Sequence, residues 1–263
     1  MTINTGTIDN MFDMTGMNAI VTGGGKGLGK GIAEGFLKQG ANVVITGSSD
    51  AIFEAEKGFE DIGYAGRIKA IHMDMLDRKQ RAEAFDKCVR HFDGKLDVLV
   101  NNAGIQRRIP VLEFPPDEWD AILEVNLTSV FDMCQRAAKI MKERHYGKII
   151  NISSIGAHIS SARNIPAYQA AKGGVRQLTV CLADELAKYN ICTNAIAPGY
   201  AKTELTRAVY EDPEACEMTC SKIPLGRWAT PADLAGAAVM LASHAGDFIN
   251  GASIVIDGGT ICR

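Results

Sequence analysis

The sequence predicts a single α/β domain, a doubly wound parallel sheet of about seven strands with helices on both faces, a Rossmann-type arrangement. Three observations carry that prediction. Apolar runs rich in β-formers alternate with stretches of helical periodicity along most of the chain. The first run closes on a glycine-rich turn, Gly23-Gly24-Gly25-Lys26-Gly27-Leu28-Gly29, which opens a helix. The 263 residues contain no repeat, low-complexity stretch or linker, so residues 1–263 read as one core, with 1–16 as an N-terminal extension.

Composition narrows the function classes. A net charge of -3, with 22% charged residues, offers no basic surface for nucleic acid. No apolar run reaches the eighteen residues of a membrane span, and the N-terminal stretch lacks the basic-then-apolar order of a secretory signal. The 7 cysteines include no C-x-x-C pair, which fits reduced thiols in a cytoplasm. The 5 histidines are scattered without metal-ligand spacing, so no metal site is expected.

The elements follow in order. M-N-A-I-V-T (17–22) is a strand, and the helix after the glycine turn stops at Gly40. Glycines let the backbone approach a pyrophosphate, and a helix N-terminus offers unpaired N–H groups. N-V-V-I-T (42–46) is the second strand, ending at Gly47-Ser48-Ser49-Asp50. In a dinucleotide fold an acid at this strand end grips the ribose 2′-hydroxyl. Here Gly47 and Ser48 take that place, Asp50 fits better as the N-cap of the next helix, and Lys26 adds positive charge nearby. That pattern favours NADP over NAD, the alternative being a merely solvated Lys26.

R-I-K-A-I-H-M (67–73) is a third strand, ending in Asp74-Met75, with a helix from about Asp77 to His91. L-D-V-L-V (96–100) is the fourth, running into Asn101-Asn102-Ala103-Gly104, a polar turn suited to a ligand border or to any loop. In the loop that follows, Gln106, Arg107 and Arg108 sit beside the same edge. Two arginines there suit a carboxylate clamp, a surface pair or a subunit contact. A long helix is expected over 116–144, with Asn126 as a polar residue in an apolar run, in need of partners.

G-K-I-I-N-I-S-S (147–154) is the fifth strand, and Pro166 sets up the helix of Tyr168 and Lys172. Those two residues, at i and i+4, share a helix face. An ammonium beside a phenol lowers its pKa, so that a tyrosine can exchange a proton with an alcohol. Alone, the pair also suits a half-buried tyrosine beside a solvated lysine. The sixth strand (191–200) ends at Pro198-Gly199; 203–224 reads as a helical excursion over the site, a possible lid. A helix over 229–243 takes Thr230 as N-cap and Pro231 at its first position, and 252–259 supplies the seventh strand.

Taken together, T-G-G-G-K-G-L-G, N-N-A-G, the mid-helix asparagine, I-S-S, Y-x-x-x-K, A-P-G-Y and D-G-G resemble the short-chain dehydrogenase/reductase family over essentially the whole chain. The resemblance implies an NAD(P)-dependent oxidoreductase of CH–OH groups with Asn126, Ser154, Tyr168 and Lys172 as catalytic tetrad. In it Tyr168 moves the proton, Ser154 binds the substrate oxygen, Lys172 tunes Tyr168 and holds the ribose, and Asn126 positions a relay water. The interval from Ser154 to Tyr168 is one residue longer than usual, which makes Ser153 the other candidate serine, although its place on the strand should turn its side chain away. For the cofactor the resemblance implies Gly23, Lys26, Gly27, Leu28, Gly29 and Ser48, then Asp74, Met75, Asn101, Ala103 and Gly104, and finally Pro198, Gly199 and Thr203, with Tyr168 and Lys172.

N-N-A-G-I-Q-R-R, P-x-L-E-F, G-R-W and D-F-I-N-G look like the branch acting on sugar acids, the gluconate 5-dehydrogenases and 2-dehydro-3-deoxy-D-gluconate 5-dehydrogenases. That likeness makes Arg108, Arg163 and Arg227 candidate substrate-side cations and implies a cytoplasmic homotetramer or homodimer. The rivals are a 3-oxoacyl thioester or steroid dehydrogenase, a cofactor-binding regulator without turnover, and a nucleic-acid-binding module, which has no motif behind it. The C-terminal Cys262-Arg263 is a candidate to reach a neighbouring subunit.

Overall fold

The structure, a computed structural model, describes residues 10–262. Seven parallel strands form one sheet: β1 Asn18–Thr22, β2 Asn42–Gly47, β3 Ile68–His72, β4 Val98–Asn101, β5 Gly147–Ile152, β6 Ile191–Pro198 and β7 Ser253–Ile256. Their order is β3-β2-β1-β4-β5-β6-β7, so the chain reverses its winding between β1 and β4. In an open parallel sheet that reversal leaves a crevice beyond the carboxyl ends of the strands, where ligands bind.

The strands are apolar on both faces because helices cover both. Ala19, Val21, Val43, Ile45, Val98 and Val100 belong to one core cluster. Their alternates Ile20, Val44 and Leu99 belong to the other. The first layer holds α1 (Gly27–Lys38), α2 (Ala51–Phe59) and α9 (Pro231–Ala242), and the second α3 (Arg78–His91), α5 (Ser129–Arg144) and α6 (Pro166–Leu186). α4 (Pro116–Leu123) leads into α5, and two short helices, α7 (Arg207–Tyr210) and α8 (Pro213–Cys220), follow β6.

Four expectations change. The helix over 116–144 is broken by a π-helical turn, Glu124–Thr128, between α4 and α5. The second helix, expected over A-I-F-E-A-E-K-G-F-E-D-I (51–62), ends at Phe59, and the turn after it carries Gly63 at φ 100. Asp50 does stand at the start of α2, but its side chain caps nothing. The extension to residue 16 is in part core: Met14 is fully buried and its N–H donates to Gln39 O at 2.8 Å. The remainder of that extension, 1–9, and Arg263 lie outside the described residues. Among the described residues no helix is long and apolar enough to cross a membrane, and no three His, Cys, Asp or Glu side chains are grouped to hold a metal ion.

Candidate active site

A cleft of about 580 Å³ opens over the carboxyl ends of β1, β2, β4 and β5. At one end is the glycine turn. Gly23 (φ +63) and Gly27 (φ +53) hold left-handed backbone that side chains disfavour. Lys26, in extended conformation, is the N-cap of α1 and provides no side-chain cap. The first N–H groups of α1 are therefore left for a ligand, and with the helix dipole they suit an anion such as a diphosphate. Gly29 does not line the cleft; it allows close packing, since a Cβ there would lie 2.3 Å from Gly23 O and 2.5 Å from Asn102 Nδ2. Leu28 and Thr203 face the cleft, and Thr203 lies over Gly27, 3.5 Å from where a Cβ would be.

Further along, Lys26, Ser48, Asp74 and Met75 border the same cavity, whereas Asp50 is exposed and outside it. No carboxylate therefore stands at the end of β2. Asp74 Oδ1 accepts the Leu76 N–H at 2.9 Å, which orders this wall. Ala103 and Gly104 line the middle, as do Pro198 and Gly199 on the far side.

Asn101 does not line the cleft. It is buried on the sheet, with Nδ2 donating to Asn151 Oδ1 at 2.9 Å and to Cys134 Sγ at 3.2 Å. Asn102 is the cleft residue, tied by Nδ2 to Thr22 O at 2.9 Å and Gly23 O at 3.1 Å. Strand alternation is the signal that separates the two, because neighbouring residues point to opposite sides.

At the other end, Tyr168, Ser154 and Lys172 meet in the cleft. The Ser154 hydroxyl stands close enough to the Tyr168 hydroxyl to lower its pKa. Ser153 Oγ instead donates to Lys172 O at 3.0 Å, buried beneath the helix. The electrostatics differ from the sequence expectation. Burial pushes the Tyr168 phenol up, and the opposing influence is the Ser154 hydrogen bond. The Lys172 ammonium lies 5.6 Å from the Tyr168 ring centroid and donates to Ile152 O at 2.6 Å. Burial lowers its own pKa to about 8.

Asn126 has the partners that its burial requires. It sits in the π-helical turn, fully buried, and does not line the cleft. Its Nδ2 donates to Ile105 O at 2.8 Å and Ile122 O at 3.0 Å, and its Oδ1 accepts from Ile105 N at 3.2 Å. Both amide hydrogens are thus committed to backbone, and Asn126 acts as a clamp on the Ala103–Gln106 wall. Gly104 makes the approach possible: a Cβ there would stand 2.6 Å from Asn126 Oδ1.

The three arginines do not converge. Arg227 forms a two-armed pair with Asp233, at 2.7 and 2.8 Å, and Asp233 in turn completes the capping box of Thr230 at the start of α9. Arg227 therefore fixes a helix end and does not line the cleft. Arg163 is exposed in the loop before α6, outside the cleft lining. Arg108 is exposed as well, close enough to Tyr200 to lower its phenol pKa against the effect of burial. Gln106 lines the cleft; of the cations proposed for the substrate, none does.

The chain matches, over residues 23–260, the family model described as enoyl-(acyl carrier protein) reductase. It is 41% identical to the 2-dehydro-3-deoxy-D-gluconate 5-dehydrogenase of Dickeya dadantii, over 97% of this chain and 99% of that protein. Identity to the 5-keto-D-gluconate 5-reductase of Escherichia coli is 40%, with the same two coverages, 97% and 99%. A gluconate 5-dehydrogenase from Burkholderia cenocepacia, solved in complex with NADP and tartrate, aligns with a TM-score of 0.90 and 39% identity over 97% of this chain and 98% of that one.

Proposed function

The chain belongs to the short-chain dehydrogenase/reductase family, and on that premise we propose that it transfers a hydride between a nicotinamide cofactor and a secondary alcohol or ketone of a sugar acid. The substrate is of the gluconate, ketogluconate or deoxy-ketogluconate type. One observation carries the reading: Tyr168, beside Ser154, stands in the same cleft as the uncapped N-terminus of α1. The relatives' names supply the substrate class.

When bound, the nicotinamide accepts or returns the hydride. Gly23, Lys26, Gly27 and Leu28 would hold the diphosphate, and Ser48, Asp74 and Met75 the adenosine end. Tyr168 and Lys172 would hold the nicotinamide ribose, between the Ala103–Gly104 and Pro198–Gly199 walls. Tyr168 takes the hydroxyl proton of the substrate in oxidation and returns it in reduction. Ser154 hydrogen-bonds the substrate oxygen and stabilises the Tyr168 phenolate. Lys172 keeps a positive charge against the Tyr168 ring, and Asn126 holds the wall facing them. Arg108 stays a candidate for the substrate carboxylate, because it lies beside Tyr200, next to Gly199.

NADP is favoured over NAD. Lys26 and Ser48 border the cleft where the 2′-phosphate would lie, no carboxylate stands at the end of β2, and a solved relative holds NADP. The 203–224 segment is read as the substrate lid, its first residues lining the cleft. A cytoplasmic setting is supported by the cysteines, all free of disulfides. Assembly as a homotetramer or homodimer is supported by exposed apolar side chains on the helices 116–186, Trp119, Phe131 and Val180.

The test is reduced-nicotinamide absorbance with NADP and NAD against gluconate, 5-ketogluconate, 2-deoxygluconate and a ketodeoxygluconate. Turnover on a sugar acid supports the reading. Turnover on an acetoacetyl thioester alone would transfer the chain to the 3-oxoacyl thioester reductases.

A further inference from the structure

Arg81 carries a role that none of the motifs above assigns. It is 1% exposed, on the first turn of α3, outside the cleft. Its guanidinium makes contacts in three directions. Nη1 donates to Met75 O, in the wall at the adenosine end of the cleft, and to Glu124 Oε1 at 3.1 Å. Nε donates to Asp132 Oδ2 at 2.8 Å, on α5.

Glu124 opens the π-helical turn that carries Asn126. Arg78 covers its solvent side, at 2.6 and 3.1 Å. A π-helical turn leaves carbonyls without their usual partners. Here side chains take them up: Asn126 Nδ2 bonds Ile122 O, and Ser129 Oγ bonds Val125 O at 2.6 Å. Arg81 thus grips the turn from both ends, Glu124 before Asn126 and Asp132 after it. The same group holds Met75. The two walls of the cleft, Asp74–Leu76 and Ala103–Gln106, are joined through one buried cation.

We propose that Arg81 is a positioning residue that fixes the π-helical turn, and so the Asn126 clamp on Ile105, while anchoring the adenosine-side wall at Met75. A planar fork carries five donors on three nitrogens and so reaches acceptors on three separate segments, whereas the three donors of a lysine radiate from one nitrogen. The inference rests on assigning the cleft to a nicotinamide dinucleotide.

The experiment uses the full chain and two readouts that do not depend on turnover: amide hydrogen exchange over residues 103–109, and the Kd for NADPH by fluorescence titration. In Arg81→Met, the Ile105 amide should exchange about tenfold faster and Kd should rise about tenfold, the equivalent of one lost charge-assisted hydrogen bond. Arg81→Lys should recover part of both. Arg136→Ala, which meets only the solvent side of Asp132, should change neither. In an Asn126→Ala background, Arg81→Met should add nothing at Ile105.

A folded Arg81→Met protein with wild-type exchange at Ile105 and wild-type Kd overturns the proposal, as does independent addition in the double variant. If Arg81→Met fails to fold, Arg81→Lys and Glu124→Gln decide by the same two readouts. Sugar-acid turnover enters neither readout, so failure of the substrate reading and failure of this inference are separate results. Wild-type protein that binds neither NADPH nor NADH would defeat the cofactor reading, and exchange at Ile105 would still decide the clamp.

Discussion

Lys172 Nζ donates to the carbonyl oxygen of Ile152 at 2.6 Å, beneath the ring of Tyr168. That ammonium is buried, and burial lowers its pKa from 10.5 to about 8. The folded protein therefore binds fewer protons than the unfolded chain between these two values, and stability attributable to Lys172 rises with pH across that window. Below pH 8 the full cost of burying the charge is present. Wild type should gain about 2 kcal/mol relative to Lys172→Met between about pH 8 and pH 9.5. Denaturant unfolding at several pH values measures this; parallel curves would mean that the amine is not depressed.

Tyr168→Phe removes the group that exchanges the proton while leaving the ring. Turnover should fall about 10²–10⁴-fold with NADPH affinity near wild type. Stopped-flow or steady-state rates and a binding titration check it, and a variant within a few-fold of wild-type kcat would remove Tyr168 from its role.

Oxidation needs Tyr168 to accept a proton, so its rate should rise with pH. The Ser154 hydrogen bond lowers the phenol pKa against the larger effect of burial. In Ser154→Ala the rising limb of the kcat/KM profile for oxidation should move to higher pH, in addition to the loss of rate. An unmoved limb would assign the tuning elsewhere.

Ser48→Asp should place a carboxylate where the end of β2 has none. NADP affinity should fall about tenfold or more by charge repulsion, while NAD affinity holds or improves. Comparing Kd for the two reduced cofactors tests the preference directly.

Arg227→Ala should leave KM for a sugar acid within twofold, because its partner is Asp233. The exposed pair is screened by solvent and contributes little, so thermal unfolding should shift only slightly. If Arg108 binds the substrate carboxylate, Arg108→Ala raises that KM about tenfold or more. An unchanged KM would end the carboxylate reading for Arg108.

The sheet was legible because β-rich apolar runs and helical periodicity alternate without interruption, and its winding follows from parallel pairing. The glycine turn, Ser154, Tyr168 and Lys172 were legible as a spaced set. What escaped was geometry that depends on a single residue's direction. Asn101 and Asn102 read alike as letters, but strand alternation sends one to Asn151 and the other to the glycine turn. E-V-N-L-T continues an apolar stripe as smoothly in a π-helical turn as in an α-helix. The Arg227–Asp233 pair and the Arg81 contacts join residues whose partners only the folded chain brings within reach. Lys172 was read by distance along the helix; its charge meets the ring and a carbonyl, and the phenol oxygen meets Ser154.

The π-helical turn between α4 and α5 also makes residue count a structural variable. Each residue advances an α-helix by about 100°. Removing one residue from 124–128 would let the regular ladder close, and would turn α4 by about that angle relative to α5. Ile122 would swing out of the core and the side bearing Trp119 would face elsewhere. Substitutions in this segment alter chemistry at one point. A one-residue deletion alters the angular phase of the outer surface, with every amino acid on α4 unchanged.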